Sequence, residues 1–141
     1  MTAGDIQKKL KGLARWDNIY VPEFTFGGLR LDAILIDVRH RWIRGFEIKV
    51  SKQDFKQDIK WTMYSEFCSS LSIVCPEGLI QPEEIKSPFG LVWIKEKDTY
   101  GWNQFVWKKR PKNFQKRDSL AWLWTYVKVI EIEFARMSEG F

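Results

Sequence analysis

Histidine and cysteine are scarce in this chain: His40 is alone, and Cys68 and Cys75 are the two thiols among 141 residues. A structural zinc site draws three or four ligands from those residue types, so this composition leaves zinc without good donors. The two cysteines form no CxxC pair and read as buried thiols. His40, in "VRHRW", reads as a turn residue. Long apolar runs are missing as well. None reaches the ~18 residues that span a bilayer, and "MTAGDIQKKLKGLA" lacks the short apolar segment of a secretory signal. The expectation is a soluble, intracellular, cytoplasmic protein with no membrane partner. Acidic excess is absent too: 23 Lys and Arg against 18 Asp and Glu give a net charge of +5, which suits a polyanionic partner. Repeats, linkers and low-complexity tracts are also lacking.

What is present argues for a packed domain. An apolar fraction of 45% with eight tryptophans excludes disorder, and residues 1–141 fit one domain. Ile6, Leu10 and Leu13 stand at helical spacing in "AGDIQKKLKGLA". "NIYVPEFTFGGLRLDAILIDV" is rich in β-branched and aromatic residues and broken by Gly27-Gly28, which predicts two strands around a turn. "WIRGFEIKV" follows as a third strand after "RHR". Ser51 then predicts a helix cap over "KQDFKQDIKWTMYSEFCSS", with Asp54 completing a capping box and Phe55, Ile59, Met63 and Phe67 on the sheet-facing side. "LSIVCP" is a short buried-type strand, "GLIQPEEIKSP" a loop with one helical turn, and "FGLVWIKE" and "WNQFVWKK" a hairpin. From Asp118, the positions Leu120, Leu123, Val127, Ile130, Phe134 and Met137 follow helical spacing, although "VKVIEIEF" also alternates like a strand.

The chemistry sits in the second and third strands. Side chains alternate faces along a strand, so Glu47 and Lys49 project together from one surface. Asp32, within the apolar "LRLDAILID", lies across from or diagonal to Glu47 if the strands pair through the turn at residues 39–41. Two neighbouring carboxylates repel unless a cation separates them. An all-oxygen ligand set favours Mg²⁺ or Mn²⁺ over zinc, and the Ile48 carbonyl is a candidate third oxygen. Lys49 beside such a site orients a water and offsets charge on a phosphate. A cross-strand ion pair on a solvated face is the plain alternative for an Asp and a Glu-x-Lys.

Two basic features accompany this cluster. Lys56, Lys60 and Tyr64 recur every four residues. For Lys60 and Tyr64, phosphate contact and a solvated helix face are both open; Lys56 reads as solvated, Trp61 as core, and Asp54 and Asp58 as capping and helix-pairing residues. "KKRPKNFQKR", residues 108–117, offers Lys108, Lys109 and Arg110 as candidate contacts to a nucleic-acid backbone.

Asp32 with Glu47-Ile48-Lys49 resembles the signature of the PD-(D/E)XK nuclease superfamily. A closer likeness, over about residues 20–94, is to the MmcB-related DNA-repair proteins. It is carried by "VPEFTFGGLRLDAILI", "FEIKVSKQDFKQDIKW" and "YSEFCSSLSIVCPEGLI". Those proteins usually place an aspartate where this chain has Ser69. The resemblance implies an α/β, restriction-endonuclease-like core with a mixed central β-sheet flanked by helices. It implies Asp32, Glu47 and Lys49 as catalytic residues, with Glu23 an additional acidic member, and Mg²⁺ or Mn²⁺ as cofactor. The expected function is metal-dependent DNA cleavage in repair or processing. The alternatives are an inactive DNA-binding module on the same fold and a structural domain with incidental ion pairs. A homodimer is compatible with the likeness, but no segment identifies its interface.

Overall fold

The computed structural model describes residues 1–14, 18–26, 28–55, 61–65, 68–96, 101–114 and 119–139, without the side chains of residues 26, 61, 62, 101, 102, 119–126, 138 and 139. The chain opens with helix α1 (Ala3–Lys11), started by a reciprocal cap in which Thr2 Oγ1 accepts from the Asp5 N–H and Asp5 Oδ2 accepts from the Thr2 N–H. Strands β1 (Asn18–Phe26), β2 (Leu29–Asp37) and β3 (Trp42–Ile48) follow as an antiparallel meander. The first turn uses Gly28 at φ 82°, a conformation that glycine adopts without a Cβ penalty. A short helix α2 (Trp61–Tyr64) precedes β4 (Ser70–Pro76), then come β5 (Gly90–Ile94), β6 (Phe105–Lys109) and helix α3 (Ser119–Glu139).

The six strands form one mixed sheet in chain order, with β3, β4 and β5 parallel and the outer pairings antiparallel. β4 lies inside the sheet with both faces covered, which is why "SLSIVC" is buried throughout instead of alternating. On one face α1 sets Ile6 and Leu10, with Leu13 just beyond it, against Tyr20, Leu35, Phe46 and Val74. On the other, Ile34, Ile43, Leu71, Ile73 and Leu91 pack with Cys68, Phe89, Phe114 and α3 Val129. The chain is therefore α/β with a mixed sheet, as the strand and helix patterns led one to expect.

Two local expectations fail. Residues 51–54 form a turn, not the first turn of a helix, although Ser51 Oγ does accept the Asp54 N–H at 3.3 Å. Met63 is exposed, and Tyr64 takes the place against the core. A side-chain-to-backbone bond of the Ser51 type suits an isolated turn as well as a helix cap, so the local signal was ambiguous. Residues 56–60 and 66–67, with Lys56, Asp58, Ile59, Lys60 and Phe67, lie outside the described residues. At the C-terminus the helical reading holds for 21 residues, and the strand-like alternation of "VKVIEIEF" is not used.

Candidate active site

The β2–β3 ladder runs from Asp37↔Trp42 to Ala33↔Phe46 and stops one level short of Asp32 and Glu47. There the strands part, and side chains replace the missing ladder bonds. Asp32 Oδ2 accepts the Ile48 N–H at 2.7 Å, and Glu47 Oε1 accepts the Asp32 N–H at 3.4 Å. Each acid is thus fixed to the other's strand. Pairing with β1 lapses at the same level: Pro22↔Ala33 and Phe24↔Leu31 are joined, while Glu23 and Asp32 between them are not. Glu23 adopts φ 50°, a left-handed conformation that costs a non-glycine residue about 1 kcal/mol or more. Both strands change facing here, so that Val21 and Phe24, and likewise Leu31 and Ile34, point into one core.

With its ladders open on both sides, the Asp32 backbone is held by side chains. Its N–H goes to Glu47, and its carbonyl accepts from Gln7 Nε2 of α1 at 2.9 Å. Gln7 was not singled out from the sequence. Its only signal is a polar side chain beside Ile6 on a helix whose neighbouring stripe is buried. Gln7 Oε1 and the Tyr20 hydroxyl are both buried without a hydrogen bond among the described residues.

Burial and the nearby Asp32 charge push the Glu47 carboxyl up from 4.5 to about 7, against the opposing pull of Lys49, the Asp32 N–H and Arg30. The Glu47 proton is therefore loosely poised at neutral pH. Tyr64, half-buried at the end of α2, has its phenol pKa raised by burial first and then by Glu47, Cys68 and Asp32. It therefore lies within the field of the two acids. The buried Cys68 thiol is raised by burial and by Glu47, and both cysteines are free and buried as expected. Lys49 is half-buried, its N–H bonded to the Val74 carbonyl at 2.9 Å.

Asp32, Glu47 and Lys49 therefore come together. The Glu23 carboxylate pairs with Arg30 at 3.0 Å in an exposed position, and Arg30 in turn acts on Glu47. Ile48 enters the site through its N–H. Among the described residues no third His, Cys, Asp or Glu completes a metal-type group. The donor set still suits a hard cation. Asp32 Oδ1 and Glu47 Oε2 make no hydrogen bond among the described residues. Two oxygen donors beside a carboxyl that resists ionisation are what a divalent ion would relieve. Ser69, where the likeness leads one to expect an acid, is buried and accepts the Ile43 N–H at 2.9 Å, a structural use.

The described basic candidates lie on and just after β6. Lys108 stacks over Trp93 at 4.5 Å, and Arg110 lies 6.0 Å from the Trp107 ring. The Lys109 ammonium donates to the Ile85 carbonyl. The segment beyond is pinned by Lys112 N–H to Pro88 and Phe114 N–H to Ser69, with Phe114 buried. His40 sits at the far end of β2 on the Asp37 carboxylate at 2.8 Å, a turn residue as expected.

No helix among the described residues is long and apolar enough to cross a membrane. No protein-family model matches this sequence, and no curated protein matches it. Among solved structures the chain is similar to the SPO1766 protein of unknown function from Silicibacter pomeroyi, with a TM-score of 0.69 and 22% identity over 94% of this chain and 83% of that one, a likeness of fold.

Proposed function

We propose that this protein is a metal-dependent deoxyribonuclease of the PD-(D/E)XK type, its sheet and helices forming a restriction-endonuclease-like core. The observation that carries the reading is the reciprocal pinning of Asp32 and Glu47 at a parted hairpin, with Lys49 two residues further on. The order helix, antiparallel meander, helix, parallel strand supports it.

Asp32 Oδ1 and Glu47 Oε2 would hold Mg²⁺ or Mn²⁺, with the Ile48 carbonyl as a further oxygen. Such an ion supplies Lewis acidity toward water and toward phosphoryl oxygens. Glu47 gives up its loosely held proton when a cation is bound. Lys49 orients the attacking water and offsets negative charge developing on the phosphate. His40 is too remote to donate a proton to the leaving group. Tyr64, Lys108, Lys109 and Arg110 are the described candidates for backbone contact.

The test is cleavage of plasmid, linear and branched DNA with Mg²⁺ or Mn²⁺, comparing wild type with Asp32→Ala and Lys49→Ala. Cleavage by wild type and its loss, by roughly a hundredfold or more, in both variants is expected. Equal cleavage by all three proteins refutes the assignment. Salt-sensitive DNA binding without cleavage points instead to a binding module on this fold.

A further inference from the structure

The amide of Gln7 is turned toward Asp32 at the expense of its own oxygen. Nε2 donates to the Asp32 carbonyl at 2.9 Å, while Oε1 is buried with no hydrogen bond among the described residues. What the amide gains at the carbonyl it gives up at Oε1, so the contact adds little to folding. It does fix where the carbonyl sits. The Tyr20 hydroxyl, in the layer beneath α1, is likewise buried without a hydrogen bond among the described residues. Burial and then the Asp32 charge raise its phenol pKa, which places it in the field of the same acid. Buried polar atoms left unsatisfied are rare in native proteins and gather where function sets the geometry.

We propose that Gln7 is a positioning residue for the cation site, holding the Asp32 main chain so that the carboxylate keeps the orientation that offers Oδ1 to a metal ion. This role presupposes the Mg²⁺ or Mn²⁺ site proposed above.

The strand geometry gives the reason. Asp32 is unpaired toward β1, between Pro22↔Ala33 and Phe24↔Leu31, and toward β3, one level beyond Ala33↔Phe46. Two side-chain contacts therefore do what ladder bonds do elsewhere in the strand. The Glu47 contact to the Asp32 N–H is long, at 3.4 Å, and comes from the other acid that a cation draws on. The Gln7 contact is shorter and comes from outside the ligand set. Its platform is firm: Thr2 and Asp5 cap α1, and Ile6 and Leu10, on either side of Gln7 in the chain, are both buried. Outer partners of this kind orient metal ligands, and losing one costs about ten- to a hundredfold in metal affinity.

Gln7→Met tests the role. Methionine is as long and unbranched as glutamine and close to it in helix propensity, but carries no amide. The substitution removes the orphaned Oε1 and leaves the Asp32 carbonyl without that donor, one unsatisfied acceptor for another, so the urea midpoint in EDTA should stay level. Calorimetric titration of Mn²⁺ alone, at about pH 8, should show a dissociation constant raised about ten- to a hundredfold over wild type. Should Gln7→Met not fold, Gln7→Leu carries the same comparison. Equal Mn²⁺ affinity in wild type and folded variant overturns the role of Gln7 and leaves the cation site standing; a lower midpoint with that equal affinity marks a residue that only docks α1. A wild type that takes up no Mn²⁺ overturns the cation site and this role with it.

Discussion

Replacing Glu47 by glutamine should stabilise the protein at alkaline pH and leave it unchanged in acid. The carboxyl is raised from 4.5 to about 7 by burial and by Asp32. Below pH 4.5 the group is protonated folded and unfolded alike, so a neutral glutamine costs little, and its amide oxygen still accepts the Asp32 N–H. Between pH 4.5 and 7 the unfolded chain releases the proton while the native state retains it, and wild-type stability falls. Above 7 the loss is complete. Each tenfold change in proton affinity is worth about 1.4 kcal/mol, so the difference tends to about 3 kcal/mol as an upper figure. Urea denaturation of both proteins in EDTA, at pH 4.5 and 8.5, measures it directly. Saturating Mg²⁺ at pH 8.5 should then close the gap, because an ion at a hundredfold its dissociation constant stabilises wild type by about 2.7 kcal/mol. A pH-independent difference, or a glutamine variant less stable at pH 8.5, would refute the view that Glu47 is a strained, cation-seeking acid.

Further perturbations probe the frame of the site. An added Cβ at Gly45 would lie 2.9 Å from Leu31 Cδ1 and 3.0 Å from both Cys68 Sγ and Leu71 Cδ1. Gly45→Ala should therefore cost about 1–3 kcal/mol in denaturant unfolding, and an unchanged midpoint would mean this face is loosely packed. Glu23→Gly removes a left-handed non-glycine residue and an exposed ion pair worth little. It should leave stability level or up to about 1 kcal/mol higher by thermal unfolding; a clear loss would show that the Arg30 contact outweighs the strain.

How much of this was legible depends on the distance along the chain between the groups concerned. Asp32 and Glu47 are separated by one tight hairpin, and the turn at residues 38–41 sets the register that brings them level. The short turn therefore predicts their meeting. The helix expected from Ser51 is a weaker inference, since a serine that bonds the residue three ahead makes an isolated turn equally well. The Lys109 contact is less legible, because the loop between β4 and β5 brings the Ile85 carbonyl to it. That contact spans 24 residues and leaves no local trace.

Residue pattern alone dictates the strand and helix order, the pairing of β2 with β3 and the placement of two acids and a lysine at one end of it. These follow from backbone periodicity and short turns, which are properties of neighbouring residues. It takes the assembled fold to bring Gln7 to the Asp32 carbonyl, to hold the Glu47 proton up to neutral pH, and to leave Ile130, Phe134 and Met137 of α3 exposed. Desolvation and helix docking depend on what the rest of the chain places overhead, and no local pattern encodes that.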